Sequence, residues 1–214
     1  MLIIIAIWRY YYFFRDPDRP IPVGRNIVSP ADGRVVYIRA FEKGTVPIAI
    51  KKAKEISLTE ITKCAVPIES GHIIGIYMTL WDVHVNRAPI AGTIEQIAYH
   101  DAVRNRSMTI FGFQMILRRR STPGAMGHIL ENERNTICVR GDLTLCLVQI
   151  ADFYVNRIRC WVQEGQQVQK GERIGQIVMG SQVDLILPDV EGLNIVVKEG
   201  SKVKAGKTVV ATYQ

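Results

Sequence analysis

One ten-residue pattern of valines and glycines occurs twice in this chain. Val162-Gln-Glu-Gly165-Gln-Gln-Val168-Gln-Lys-Gly171 returns 35 positions later as Val197-Lys-Glu-Gly200-Ser-Lys-Val203-Lys-Ala-Gly206. Each copy sets glycine where a tight turn demands a positive φ and valine where alternate residues of an extended segment point inward. A second pair, Pro30-Ala-Asp-Gly33-Arg-Val35 and Pro89-Ile-Ala-Gly92-Thr-Ile94, reads as a Pro/Gly turn feeding a strand, with Pro188-Asp-Val-Glu-Gly192 as a looser third copy. Two families of half-motifs imply a duplicated unit that cannot bury its apolar face alone. The segments between them, VVYI (35–38), HIIGIYMTL (72–80), TIEQIAY (93–99), TICVRG (136–141) and LTLCLVQI (143–150), are β-branched runs punctuated by Gly and Pro, with no sustained helical period. One short helix is expected within 48–62 and a long exposed loop over 118–135.

The expectation is a mainly β fold with few short helices. Its paired half-motifs resemble the barrel-sandwich hybrid of lipoyl and biotinyl domains, here duplicated and expanded. A carrier domain of that type presents its modified Lys at a hairpin tip, in a setting such as MKM or DKA, and this sequence has neither. A non-catalytic binding module of that kind is therefore the weaker alternative.

With 214 residues the chain can bury a core without covalent help, as one domain. Its 48% hydrophobic and 22% charged residues exclude a disordered or fibrous chain. Cys64, Cys138, Cys146 and Cys160 form no CxxC pair and have no His at ligand spacing, so no metal is implied, and four reduced core thiols in a cytosolic setting are expected. The formal charge of +7 calls for an anionic partner: nucleic acid, a membrane surface or a phosphorylated substrate. No aromatic platform lies between basic residues beyond the N-terminus, which argues against nucleic acid.

The N-terminus, MLIIIAIWRYYYFF, favours the membrane. As a helix its 14 residues would reach about 21 Å, short of the ~30 Å hydrocarbon core. Its aromatic cluster beside Arg9, Arg15 and Arg19 instead suits the head-group region. Residues 1–14 are expected to anchor the chain to a membrane and 15–214 to form a single β domain. A buried first strand is the alternative for 1–14.

Two segments carry groups that could do chemistry. Gly180-Ser181 sits between apolar runs and, taken alone, is a plain β-turn. In Trp81-Asp82-Val83-His84-Val85-Asn86-Arg87-Ala88-Pro89, an extended backbone would align Asp82, His84 and Asn86 on one face.

Together with these, FFRDPDR (13–19), SPADGRV (29–35), DVHVNRAP (82–89), ENER (131–134) and GSQVDLILP (180–188) span almost the whole chain in one order. The set resembles the phosphatidylserine decarboxylases, in their short bacterial and archaeal form. That resemblance implies a zymogen in which Ser181 Oγ attacks the Gly180 carbonyl. Cleavage between Gly180 and Ser181 would leave a β chain of 1–180 and an α chain of 181–214, held as a heterodimer that could assemble further. Residue 181 would become a covalent pyruvoyl cofactor. Its ketone would form a Schiff base with the amine of the phosphoserine head group and act as electron sink as CO2 leaves, giving phosphatidylethanolamine; archaetidylserine is the alternative substrate. The resemblance further implies a peripheral or N-terminally anchored enzyme on the cytoplasmic face of the cell membrane, with no nucleic-acid partner.

Asp32 matches the family's carboxylate and His84 its first motif histidine, while Arg87 stands where longer members carry a second histidine. Either His84 is therefore expected to take over the role of self-cleavage base, or another histidine reaches the site, with His72 as runner-up. Arg87, Asn86 and His72 are candidates for holding substrate, a guanidinium being suited to a carboxylate or phosphate. His100 and His128 are expected to be exposed, Asp184 to face solvent or cap a turn, and Arg118–Arg120 to be a solvated basic loop. Glu131, Glu133 and Arg134 carry the family signature without a role that the sequence supplies.

Overall fold

A computed structural model describes residues 8–47, 55–102, 107–108, 127–152, 158–178 and 181–214. A π-helical turn, Trp8–Phe13, precedes strands β1 (Asn26–Val28), β2 (Gly33–Phe41), β3 (Thr45–Val46) and β4 (Ile56–Ser57). Helix α1 (Leu58–Thr62) leads to β5 (Gly71–Met78), β6 (Val85–Arg87) and β7 (Gly92–His100). Helix α2 (His128–Glu131) is followed by β8 (Arg134–Arg140), β9 (Thr144–Ala151), β10 (Ile158–Cys160) and β11 (Gln167–Val168). The chain closes with β12 (Arg173–Ile177), β13 (Ser181–Pro188), β14 (Asn194–Ile195), β15 (Lys202–Val203) and β16 (Val209–Thr212). The fold is mainly β, as the strand punctuation implied.

An eight-stranded antiparallel sheet, ordered β11-β7-β8-β9-β13-β5-β2-β15, forms the frame. The duplication seen in the sequence is written into its register. Gln167 and Val168 pair with Thr93 and Gly92, and Lys202 and Val203 pair with Arg34 and Gly33 in the same way. Equivalent bulges interrupt β7 between Ile94 and Gln96 and β2 between Val35 and Tyr37. Gly165 N donates to Ile94 O at 2.8 Å and Gly200 N to Val35 O at 2.7 Å. Gly165, Gly171, Gly200 and Gly206 all take positive φ, so both repeats make the turns that their glycines allow. Each repeat of one kind thus clasps a half-motif of the other kind, and each outer strand of the sheet is only two residues long, which limits the exposed edge.

Strand β13 lies between β5 and β9 and is buried on both faces. Val183, Leu185 and Leu187 enter one core with Ile74, Ile76, Met78, Leu147 and Ala151. Ile186 enters a second core with Tyr37, Ile73, Cys146, Val148 and Ile150. This two-sided burial is why Leu185-Ile186-Leu187 is an unbroken apolar run, while Ser181, Gln182 and Asp184 are buried polar groups.

Several expectations change. Cys138 and Cys146 lie directly opposite each other on β8 and β9 and form a disulfide, Cα–Cα 4.1 Å, so the four cysteines are not all reduced core thiols. Of the other two, Cys64 is half-buried and Cys160 exposed. The region read as a loop over 118–135 contains α2 and the start of β8 from residue 128 onward, and Arg118–Arg120 lie outside the described residues. The short helix falls at 58–62; residues 48–54 lie outside the description. Residues 8–13 form a helical turn rather than a strand, and among the described residues no helix is long and apolar enough to cross a membrane.

Candidate active site

Ser181 opens β13 and is fully buried. It sits opposite Met78 at the end of β5 and opposite Ala151 at the end of β9, and its Oγ contacts Met78 Sδ at 3.6 Å. Gly180 lies outside the described residues. Arg34 pairs with Tyr77, so Asp32, two residues earlier, reaches the same end of β5 from the other side. At ~4.8 Å per strand spacing the Ser181 and Asp32 backbones are roughly 10 Å apart across β5. Gly33 makes this approach possible: its φ is +144°, and a Cβ there would lie 2.2 Å from the Tyr77 carbonyl oxygen.

His84 arrives at the same end by a turn. Asp82 N donates to Thr79 O at 3.0 Å, and the Asp82 carboxylate accepts from Thr79 N at 2.8 Å and Thr79 Oγ1 at 2.7 Å. This turn folds the chain back after Met78, so Asp82 is a turn-former and the extended run begins only at Val85. On its other side His84 O accepts from Ile177 N at 3.1 Å, which ties it to the end of β12.

The imidazole is fully buried and stacks at a tilt on Phe13, ring centroids 4.3 Å apart. Its Nδ1 lies 3.0 Å from Asp82 O. A carbonyl can only accept, so Nδ1 carries the hydrogen and Nε2 the lone pair. Nε2 is buried with no hydrogen-bond partner among the described residues. Burial pushes the His84 pKa down to about 4, against the opposing pull of the Asp82 carbonyl and the Asp82 charge, and Arg15 lowers it further. A neutral, water-excluded imidazole with an unused lone pair is equipped to take a proton.

Asp32 is buried, but it does not hydrogen-bond His84. Arg19 grips it with both terminal nitrogens, Nη2 to Oδ2 at 2.9 Å and Nη1 to Oδ1, and Ala205 N donates to Oδ1 at 2.8 Å. Asp32 reaches the imidazole through its charge, while the Asp82 carbonyl orients the ring.

The three residues expected to hold substrate are placed otherwise. Arg87 Nη2 pairs with Asp16 at 2.7 Å and Nη1 donates to Gly171 O at 3.0 Å, so its fork is already occupied by this chain. Asn86 is fully buried and accepts from Gln149 Nε2 at 2.8 Å, bridging β6 to β9. His72 pairs with Leu187, six residues along β13 from Ser181, or roughly 20 Å at the rise of an antiparallel strand. The fold sets Asp32 within electrostatic reach of His84, gives Ser181 Oγ Met78 Sδ as its contact at the same end of β5, and leaves His72 at the far end.

The opposite face of β13 holds polar groups that the sequence reading missed. Gln182 is fully buried; its Oε1 lies 3.0 Å from His128 Nε2, and its Nε2 donates to Tyr37 Oη at 2.9 Å and Asp184 Oδ1 at 2.7 Å. His128 and Asp184, expected at the surface, are therefore interior, because α2 packs beneath the sheet and β13 is covered on both sides. Burial raises the Asp184 pKa to about 6 and the Tyr37 phenol well above its usual value, with the Asp184 charge adding to the latter. The ENER motif gains a role here. Arg134, fully buried, donates to Ile129 O at 2.6 Å and Ile61 O at 2.7 Å, tying both helices to β8. Asn132 Nδ2 donates to Ala151 O at 2.7 Å and Ala151 N to Glu133 O at 3.0 Å, which fixes the residue opposite Ser181. A buried α2 would have been hard to find, since its four residues carry no apolar period. His100, by contrast, is exposed as expected.

Comparison with known proteins identifies the family. The family model described as phosphatidylserine decarboxylase matches residues 8–211. A protein of Methanocaldococcus jannaschii, provisionally named an archaetidylserine decarboxylase proenzyme, is 37% identical over 208 residues, covering 94% of this chain and 87% of its own. Phosphatidylserine decarboxylase proenzymes of Solibacter usitatus and Ruegeria pomeroyi are 34% and 36% identical, each over 98% of this chain and 81% of the relative. The family and the names of these relatives indicate a carboxy-lyase made as a proenzyme. The chain belongs to the phosphatidylserine decarboxylase family.

Proposed function

We propose that this chain cleaves itself between Gly180 and Ser181, carries a pyruvoyl group at position 181, and decarboxylates the phosphoserine head group of a membrane lipid. The observation that supports this most is the His84 ring, neutral and dry, its Nε2 lone pair unused, at the end of the sheet where Ser181 sits. His84 removes the Ser181 hydroxyl proton, Oγ adds to the Gly180 carbonyl carbon, and the proton returns to the departing nitrogen as the amide becomes an ester. Loss of the residue-181 α-proton then expels the Gly180 carboxylate, and water replaces the nitrogen, which leaves as ammonia. The surroundings of position 181 fit a pyruvoyl group: they are dry and lined by Met78 and Ala151, which cannot hydrate or trap a ketone. Such a ketone supplies the electron sink for CO2 loss. Asp32 balances charge beside the imidazole, and Arg87 and Asn86 act as braces instead of substrate ligands.

After cleavage, residues 181–188 would stay paired with β5 and residues 181–186 with β9, which supports a heterodimer of the two fragments. The relatives are named for two lipid backbones; the reacting head group is common to both. Exposed Tyr11, Tyr12, Leu80 and Trp81, with Arg15 lying 3.8 Å over the Tyr12 ring, support docking of this end of the sheet on an anionic bilayer. We place the enzyme on the cytoplasmic face of the cell membrane. Intact mass of the purified full-length chain is the test. A 34-residue fragment with a carbonyl-reactive N-terminus is the expected product. One unbroken chain with a free Ser181 after long incubation overturns the reading.

A further inference from the structure

Seven consecutive residues, 13–19, touch three of the residues discussed above. Phe13 stacks on His84. Asp16 pairs with Arg87 and also with Arg173 Nε, while Asp18 Oδ1 takes Arg173 Nη2 at 2.8 Å, so the segment is pinned to β6 and β12. Arg19 grips Asp32, and its Nη1 also donates to Ala205 O at 2.8 Å. The Arg19 and Asp32 side chains are 7% and 8% exposed, so this pair is held away from water.

We infer that residues 13–19 form a positioning strap for the self-cleavage site, in which Arg19 sets the orientation of the Asp32 carboxylate and Phe13 fixes and shields the His84 ring. The inference rests on the reading of Ser181, His84 and Asp32 given above. A guanidinium fork defines the plane of a carboxylate, whereas a lysine ammonium supplies the same charge from a single point. Phe13 contributes no charge; it holds one face of the imidazole and keeps water from it. The charged groups near His84 are Asp82 on its own turn, Arg15 on the strap and Asp32 before β2. Neither Arg19 nor Phe13 reacts; both act through a neighbour.

The test uses the full chain as wild type, Arg19→Lys, Phe13→Leu, Phe13→Ala and Ser181→Ala, following appearance of the 34-residue fragment by mass against pH. Arg19→Lys should slow cleavage about 10–100-fold at unchanged charge, the scale of a misplaced catalytic group. Phe13→Ala should move the acid limb of the cleavage profile upward from about 4 towards the 6.5 of an open imidazole, while Phe13→Leu keeps it low. In matured enzyme Arg19→Lys should lower kcat more than it raises KM. If Arg19→Lys does not fold, the two Phe13 variants carry the decision through the pH limb, which a loss of stability alone does not move. Folded variants that cleave at the wild-type rate with the wild-type limb overturn the strap. A wild-type chain that never cleaves overturns instead the reading on which it rests.

Discussion

Ser181 and Gln182 are neighbours in the chain, yet they belong to two different chemical environments. On the Ser181 face of β13 the surroundings are apolar, and the polar groups arrive from the end of the sheet, with the His84 Nε2 lone pair unused. On the Gln182 face the amide is fully engaged: His128 takes its oxygen, and Tyr37 and Asp184 take its nitrogen. The Gln182 amide is tied down, although Asp184 Oδ2 on the same face is also buried without a partner among the described residues. A buried polar atom without a partner costs about 1–3 kcal/mol, and what sets His84 apart is that its orphaned atom is a lone pair on a neutral ring.

Changes on the Ser181 face should break the chemistry. Ser181→Ala removes the nucleophile, and the chain should stay whole at 214 residues by intact mass. His84→Ala should slow appearance of the small fragment by about 100- to 10,000-fold, the contribution of a positioned general base. If His84→Ala matures normally but no longer decarboxylates, the histidine serves the second reaction only. In the wild type the cleavage rate should hold from neutrality down towards pH 5 and fall near the depressed His84 pKa of about 4.

Changes on the Gln182 face should act mainly on stability. Gln182→Leu removes the hydrogen bonds to His128, Tyr37 and Asp184 and should cost about 1–3 kcal/mol in denaturant unfolding, with cleavage slowed by less than about tenfold. Asp184→Asn should have the smallest effect on cleavage and a distinctive effect on pH dependence. Folded Asp184 keeps its proton up to about pH 6, whereas an unfolded carboxyl releases it near 3.8. The folded state binds more protons across that window, so this group's contribution is present below 3.8 and is lost as pH rises through about 6. Asp184→Asn should remove that loss and raise the melting midpoint at pH 7 relative to wild type. A variant as pH-sensitive as the parent, measured by thermal unfolding between pH 4 and 7, would refute the assignment.

The part of the candidate site that the sequence pointed to is carried by short motifs. Ser181, His84 and Asp32 each sit in a recognisable string; Ser181 lies opposite Met78 at the end of β5, and Asp32 just precedes β2, whose Arg34 pairs with Tyr77. Arg87 illustrates the limit. Its residue type suits an anionic substrate, but Asp16, 71 positions away, occupies its fork. His128 and Asp184 show the same limit in reverse: polar residues without local apolar period look solvated until α2 is packed beneath the sheet. Cys138 and Cys146 lack any metal or redox spacing, and only the β8–β9 register sets them face to face.

By itself, then, the sequence determined whatever depends on a few neighbouring residues: the repeated glycine turns, the β character, the order of the motifs and hence the family. Positive φ and alternating burial are local demands, which a short string either meets or fails. Tertiary structure alone decided which buried groups meet, because a partner chosen across a sheet depends on register. A one-residue shift of β13 would exchange the environments of Ser181 and Gln182 without altering a single turn.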